Sequence, residues 1–234
     1  MPQAVLWAPP AMPSLSVRGE TASAPVNRIF CVGRNYAAHA AEMGHKVDKA
    51  GDRPFYFTKF PQALTPSGAT IHYPPETANL HHEMELVVAI GKPGFRVAAD
   101  RAGDLVFGYA CGLDLTRRDL QNAARDKGRP WDLGKNFEAA AVVSDIVAMP
   151  GVLLDRGAIA LEVNGAVRQS GDLGDMVWSV AELIADLSLF YHLAPGDLIF
   201  TGTPEGVGPL KPGDRLEGRI EGIGAIALTI GSPE

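Results

Sequence analysis

Two glutamates one residue apart, Glu83 and Glu85, stand in the stretch NLHHEMELVVAIG (79–91), between a His-His pair and an apolar, β-branched run. Strand side chains alternate, so both carboxylates project to one side and Met84, Leu86 and Val88 to the other, which is the core side. Like charges held side by side repel unless something positive lies between them. A third acid, Asp114, ends another apolar segment, FGYACGLDL, where a charge needs a partner. Three carboxylates from two strands suit a hard divalent cation, because Mg²⁺ takes oxygen ligands and leaves positions open to water or substrate. The pair alone also fits a solvated strand face, with the glutamates lining a surface or a cleft. As neutral imidazoles, His81 and His82 favour softer metals, so they are read as orienting or structural residues.

Further polar groups gather around these acids. The segment TRRDLQNAARDKG (116–128) reads as a helix, capped by Thr116 and stopped by Gly128. It would start two residues after Asp114 and put Arg118, Gln121 and Arg125 on one face. Lys135 lies in PWDLGKNF, a stretch rich in loop-formers. The glycine-rich TGTPEGVG (201–208) follows the strand DLIF and can present backbone N–H groups and the Thr203 hydroxyl to a carboxylate. Together these groups outline a pocket for a small, acidic, oxygen-rich substrate.

The elements that must position them read as mostly β. Strands are expected at RIFCVG (28–33), FYFTKF (55–60), ATIHY (69–73), EMELVVAIG (83–91) and DLVFGYACGLDL (104–115). Asn164-Gly165 marks a hairpin. Ser179 and Glu182 stand at capping-box spacing ahead of an apolar helix face. Residues 34–45 carry helix-forming alanines ahead of a loose KVDKAGDRP, which suggests a short helix within a lid of about residues 34–53. Residues 1–27 read as an N-terminal arm with one short strand, and 28–234 as a single catalytic domain. The 26 glycines and 18 prolines match such a turn-dense chain. Neither GxGxxG nor GxxxxGK[ST] occurs, so classical nucleotide-binding folds have little support.

Bulk properties narrow the field. A chain of 234 residues that is 46% hydrophobic can bury a sizeable core. The formal net charge of −6 and the lack of a basic block argue against nucleic acid or an anionic membrane as partner. No apolar run of membrane-spanning length is present, and MPQAVLWAPPAMP lacks the form of a signal peptide. Cys31 and Cys111, both in apolar surroundings, fit free thiols in a reducing cytoplasm.

GRNYAAHAAE, HHEMELVVAIG, GLDLTRRDLQ, KGRPWDLGKNF and TGTPEGVGPLKPGD resemble, in order, the motifs of the fumarylacetoacetate hydrolase family. The likeness spans about residues 28–230 and is nearest to the short acylpyruvate hydrolase branch, without the extra N-terminal domain of the animal enzyme. It implies a mixed β-sandwich roll, usually a homodimer, with Mg²⁺ or Mn²⁺ bound by Glu83, Glu85 and Asp114. It also implies that His39 and Glu42 form a dyad on the lid, and that Lys59, Arg118, Gln121, Lys135 and Thr203 line the pocket. The expected substrate is a 2,4-dioxo acid, with fumarylpyruvate first among them. Its far carboxylate needs a cation, for which Arg34, Lys59, Arg125 and Arg129 are unranked candidates. Competing expectations on the same metal site are oxaloacetate decarboxylation and diene-dioate isomerisation. A non-catalytic 2-oxo-acid binder is the alternative from another class.

Overall fold

A computed structural model describes residues 5–8 and 10–233 of the chain. Its centre is an eight-stranded sheet in which Met84–Ile90 and Val106–Asp114 are antiparallel neighbours. Asp197–Phe200 lies on the other side of Met84–Ile90, followed by Arg28–Gly33 and Phe55–Lys59. Ala141–Val143 and Leu64–Pro66 continue beyond Val106–Asp114.

Alternation decides which layer each residue joins. Met84, Leu86 and Val88 enter a core shared with Leu161, Leu216, Ile226 and Leu228 of a five-stranded sheet. Val87 and Ala89 point the other way, into a second cluster with Ile29, Leu198 and Phe200. The N-terminal strands Ser14–Ser16 and Ser23–Pro25 pair with each other, and Leu15, Val17 and Val26 help to close this second cluster. Two short strands thus stand where one was expected. The pattern of a strand buried on both faces is a near-continuous apolar run, as LVVAI is.

The strand predicted at 83–91 forms as Met84–Ile90, and a separate short strand precedes it. Leu80–His82 leaves the large sheet and lies between Thr116–Arg117 and Gly208–Pro209 in a three-stranded sheet, so Glu83 occupies the crossing point. Thr116 is consequently not a helix cap. Its backbone stays extended to pair with His81, its hydroxyl donates to the Asp114 carbonyl at 3.2 Å, and the helix Arg118–Asp126 starts with no side-chain cap.

Two local expectations, a hairpin turn and a helix cap, hold. Asn164 and Gly165 have φ of 54° and 76° and turn Ala158–Val163 into Ala166–Asp172, the positive-φ pair that a tight hairpin needs. Ser179 and Glu182 form a capping box on Val180–Leu187, with both reciprocal hydrogen bonds made. Cys31 and Cys111 are buried free thiols. No helix among the described residues is long and apolar enough to cross a membrane.

Candidate active site and metal centre

Backbone register brings the acids together. The Asp114 N–H donates to the Glu83 carbonyl at 2.9 Å, which makes the two residues cross-strand neighbours, and Glu85 is two residues along on the same face. One carboxylate oxygen from each of Glu83, Glu85 and Asp114 lies within 4.8 Å of the other two. These side chains do not form a solvated strand face, and Glu83 lines a compartment. They are 4%, 2% and 0% exposed, because a central strand is covered on both faces.

Three buried cations surround them. Lys135 Nζ bridges Glu83 Oε2 at 2.6 Å and Asp114 Oδ2 at 2.7 Å. Arg118 donates to Glu83 Oε1 and to Gln121 Oε1. Lys59 Nζ is 2.8 Å from Asp114 Oδ1, but its hydrogen bonds run to the carbonyls of Leu115 and Lys135. Asp114 Oδ1 is thereby a buried oxygen with no hydrogen-bond donor. The expected loop at Lys135 is a single helical turn, Asp132–Lys135, whose last two N–H groups fold back to the Trp131 carbonyl.

The electrostatics follow from burial and from these partners. Burial opposes ionisation of Glu83, yet the charges of Lys135 and Arg118 outweigh it and hold the carboxyl well below its usual range. Glu85 has no cation on it. Burial and the neighbouring charges of Asp114 and Glu83 push it far upward, against the Lys135 charge and a hydrogen bond from the Gly202 N–H at 2.7 Å. Burial disfavours the Lys135 ammonium, but Asp114 and Glu83 raise its pKa above the ordinary value. His81 drops to about 4, through burial first and the Arg118 charge second, so its neutral ring accepts from Arg118 Nε at 3.4 Å.

Above this centre, the helix Ala37–Glu42 carries His39, whose Nδ1 lies 3.4 Å from Glu42 Oε2. Glu42 Oε2 also accepts the Gly206 N–H at 3.2 Å, which ties this segment to the 201–208 loop. The glycines of that loop therefore serve protein carboxylates, Glu85 and Glu42. Gly202 does so with φ +96°, where a Cβ would meet Asn35 Cβ at 2.8 Å. Farther along, Lys49 pairs with Glu182 at 2.9 Å and Arg53 with Asp186 at 2.5 Å.

Arg34, His39, Glu83, Arg118, Gln121 and Lys135 line one inner compartment of about 50 Å³, and Arg34 and Lys135 also line an outer cavity of about 810 Å³. Thr203 lies apart from both. Its hydroxyl accepts from Gln169 Nε2 at 2.8 Å, and the residue is 2% exposed.

Comparison with known proteins places this geometry. A family profile described as Fumarylacetoacetate (FAA) hydrolase C-terminal matches residues 28–231. The chain belongs to the fumarylacetoacetate hydrolase family. Within that family it is 62% identical over 192 residues, 82% of this chain and 100% of the relative, to the fumarylpyruvate hydrolase of Ralstonia sp. The crystal structure of fumarylpyruvate hydrolase from Pseudomonas aeruginosa with Mn²⁺ and pyruvate superposes with a TM-score of 0.93 at 45% identity. That match covers 98% of this chain and 100% of the other. The mitochondrial oxaloacetate tautomerase of Homo sapiens is 40% identical over 221 residues, 91% of this chain and 99% of that one.

Residues of this family member that fit a divalent ion are Glu83, Glu85 and Asp114. Their donors are all oxygen, and one of them, Asp114 Oδ1, lacks a hydrogen bond. Two supporting residues had no local signal in the sequence. Gln169, 1% exposed, accepts the Met84 N–H and donates to Thr203 and to the Pro204 carbonyl, so it stitches the hairpin to the metal-centre strand. Asn35, fully buried within GRNY, bonds Trp178 and the Thr201 carbonyl and so sets the root of the 201–208 loop.

Proposed function

We propose that the chain is a divalent-metal-dependent hydrolase that cleaves a carbon–carbon bond of acylpyruvates, converting fumarylpyruvate and water to fumarate and pyruvate. The observation that carries this reading is the buried triad Glu83, Glu85 and Asp114, with Glu83 and His39 lining one compartment. A relative of 62% identity named for that reaction supports the choice of substrate.

A divalent cation held by the triad, Mg²⁺ or Mn²⁺, supplies Lewis acidity toward the 2-oxo acid end of the substrate. Lys135, kept charged by Glu83 and Asp114, opposes the negative charge that develops on the pyruvate enolate oxygen. Arg118, oriented by Gln121 and His81, adds a second positive group. His39 accepts a proton from the water that adds to the 4-oxo carbon. Glu42, on the other side of the ring, orients it. The bond between C3 and C4 then breaks, its electron pair passes to the enolate, and return of the His39 proton to C3 releases pyruvate and restores the neutral base. General-base help of this kind is worth roughly 10²–10⁴ in rate.

Residues 34–53 act as the lid of a single catalytic domain, and its fastening to Gly206, Glu182 and Asp186 is consistent with that role. The working unit is a homodimer. An exposed run from Leu189 to Tyr191, beside Phe95 stacked on His192, offers an apolar face for self-association. Two buried free thiols suit the cytoplasm.

Pyruvate release from fumarylpyruvate, acetylpyruvate and oxaloacetate, measured side by side with and without Mg²⁺, tests the reading. Fumarylpyruvate is expected to be fastest, and only with metal. Turnover of oxaloacetate alone would replace the hydrolase by a decarboxylase. Tight oxalate binding without turnover of any acylpyruvate would make the protein a binder.

A further inference from the structure

Fumarylpyruvate ends in a second carboxylate, beyond a flat trans double bond, and the reaction proposed above assigns nothing to that end. An aromatic wall leads from the metal centre toward it. Lys135 Nζ lies 4.9 Å from the centroid of Phe57. Trp131 packs against Phe57 at 6.0 Å and edge-on against Phe55 at 5.0 Å. The Arg34 guanidinium then lies 6.0 Å over Phe55. One end of the wall thus bears the ammonium that bridges Glu83 and Asp114, and the other end bears Arg34. Arg34, Phe57, Trp131 and Lys135 line both the inner compartment and the outer cavity, which makes the path continuous.

The other candidate cations are engaged or badly placed. Lys59 is 2% exposed, sealed between Asp114 and two carbonyls. Arg118 and Lys135 are bound to Glu83. Arg125 also lines both compartments, but it donates through two nitrogens to Asp126 Oδ1 at 3.1 and 3.2 Å. Arg53 pairs with Asp186. Arg129 and Lys46 are exposed and line only the outer cavity. Among the described residues, Arg34 is the arginine that reaches both compartments with no carboxylate within 4.0 Å.

Its conformation adds a second observation. Arg34 has φ +62°, in the left-handed region where a non-glycine residue is uncommon and costs energy, and such outliers gather at functional sites. Arg34 Nη2 is 3.3 Å from His45 Nε2. Burial, and then the charges of Arg34 and Arg125, lower the pKa of that ring, so His45 is a neutral acceptor that aims the guanidinium without cancelling its charge.

We propose that Arg34 binds the distal carboxylate of the acyl group while Phe55, Phe57 and Trp131 flank the planar double bond. Arg34 is then the residue that selects straight, unsaturated, dicarboxylic acylpyruvates over short acyl groups. This assignment rests on the acylpyruvate reading of the metal site.

Arg34→Asn is the informative variant, since asparagine tolerates the left-handed region and the fold keeps its turn. Steady-state kinetics on fumarylpyruvate and acetylpyruvate should show the fumaryl-over-acetyl preference in kcat/KM shrinking about 10–100-fold, the value of a hydrogen bond to a charged group. Arg34→Lys, which keeps charge but not the planar fork, should restore part of it. Calorimetry with fumarate alone should show binding about tenfold or more weaker in Arg34→Asn on the same scale. Parallel losses on both substrates, or an unchanged preference and fumarate affinity beside intact fumarylpyruvate hydrolysis, would overturn the subsite and leave the reaction standing. A wild type that hydrolyses no acylpyruvate, yet binds fumarate through Arg34, would do the reverse.

Discussion

Glu83, Glu85 and Asp114 sit on or beside the central strands of a sheet covered on both faces, none more than 4% exposed. His39 and Glu42 sit on a six-residue helix whose start has no side-chain cap, and the Glu42 side chain is 37% exposed. The carboxylates are held by backbone register and by buried lysines and an arginine. Beyond its root at buried Asn35, which bonds Trp178 and Thr201, the dyad segment is held by a backbone N–H from the 201–208 loop and by two surface ion pairs. Charges crowded in a low-dielectric interior need fixed partners, because any displacement leaves one of them uncompensated. Groups that handle a proton above the substrate need a segment that can open, and such segments come from the weakly fastened end of a structure. Each region can be disturbed separately.

The largest effect is expected at Asp114. Asp114→Ala removes a proposed metal ligand and also strands Lys59 and Lys135, so metal-dependent turnover should vanish and stability should fall by about 3–5 kcal/mol, the usual cost of breaking a buried ion pair. Metal calorimetry and thermal melts read the two parts. Chelation of the wild type should abolish turnover reversibly while leaving the fold in place. Normal activity in excess chelator would remove the metal from the account.

His39→Ala comes next and attacks the other region. Metal affinity should stay as in the wild type while hydrolysis drops at least about a hundredfold, on the scale of general-base catalysis. A near-normal rate would take the dyad out of the mechanism. A joint loss of metal binding would mean that the two regions are not separable.

The contrast also explains what could be read from sequence. Alternation placed Glu83 and Glu85 on one side of a strand, and the charge ending an apolar run singled out Asp114, since both signals are local. Burial of the pair was not legible. The pair is closed over by Arg118, Lys135 and the Gly202 backbone, all more than thirty residues downstream. The Asn164-Gly165 turn and the Ser179 capping box were legible because each is complete within a few residues. Thr116 misled for the same reason in reverse. A good cap was overridden by strand pairing with His81, a tertiary contact. His39 has no sequence signal beyond the family likeness, and Gln169 has none at all, because its four partners lie on two other segments.

The fastenings of residues 45–53 should matter less than either site. Lys49→Ala and Arg53→Ala each remove an exposed or half-exposed ion pair, and such pairs are worth about 0.2–1 kcal/mol. The rate should change less than about fivefold on that estimate. High salt, which screens surface charges, should make wild type and variants converge. A hundredfold loss in either variant would show that this segment is held as firmly as the sheet.

The smallest expected effect probes the rigid region at its edge. Asp119, in the first turn of the helix carrying Arg118 and Gln121, accepts from the Thr77 hydroxyl at 2.6 Å and from the N–H groups of Ala78 and Leu120. Burial works against its ionised form, but these hydrogen bonds prevail and lower its pKa below the ordinary 3.8. A carboxylate depressed on folding contributes stability above its unfolded pKa and loses it as pH falls through the folded value. Wild type should therefore melt at lower temperature as pH drops from about 5 to below 3.8, and Asp119→Asn, which lacks the carboxylate's contribution, should start slightly lower at pH 7 and flatten part of that decline. Melting curves of the two proteins across that range decide it. An identical slope in both would mean that these hydrogen bonds add nothing to holding the Arg118 helix on its strand, and that buried ion pairs alone fix the metal-centre side.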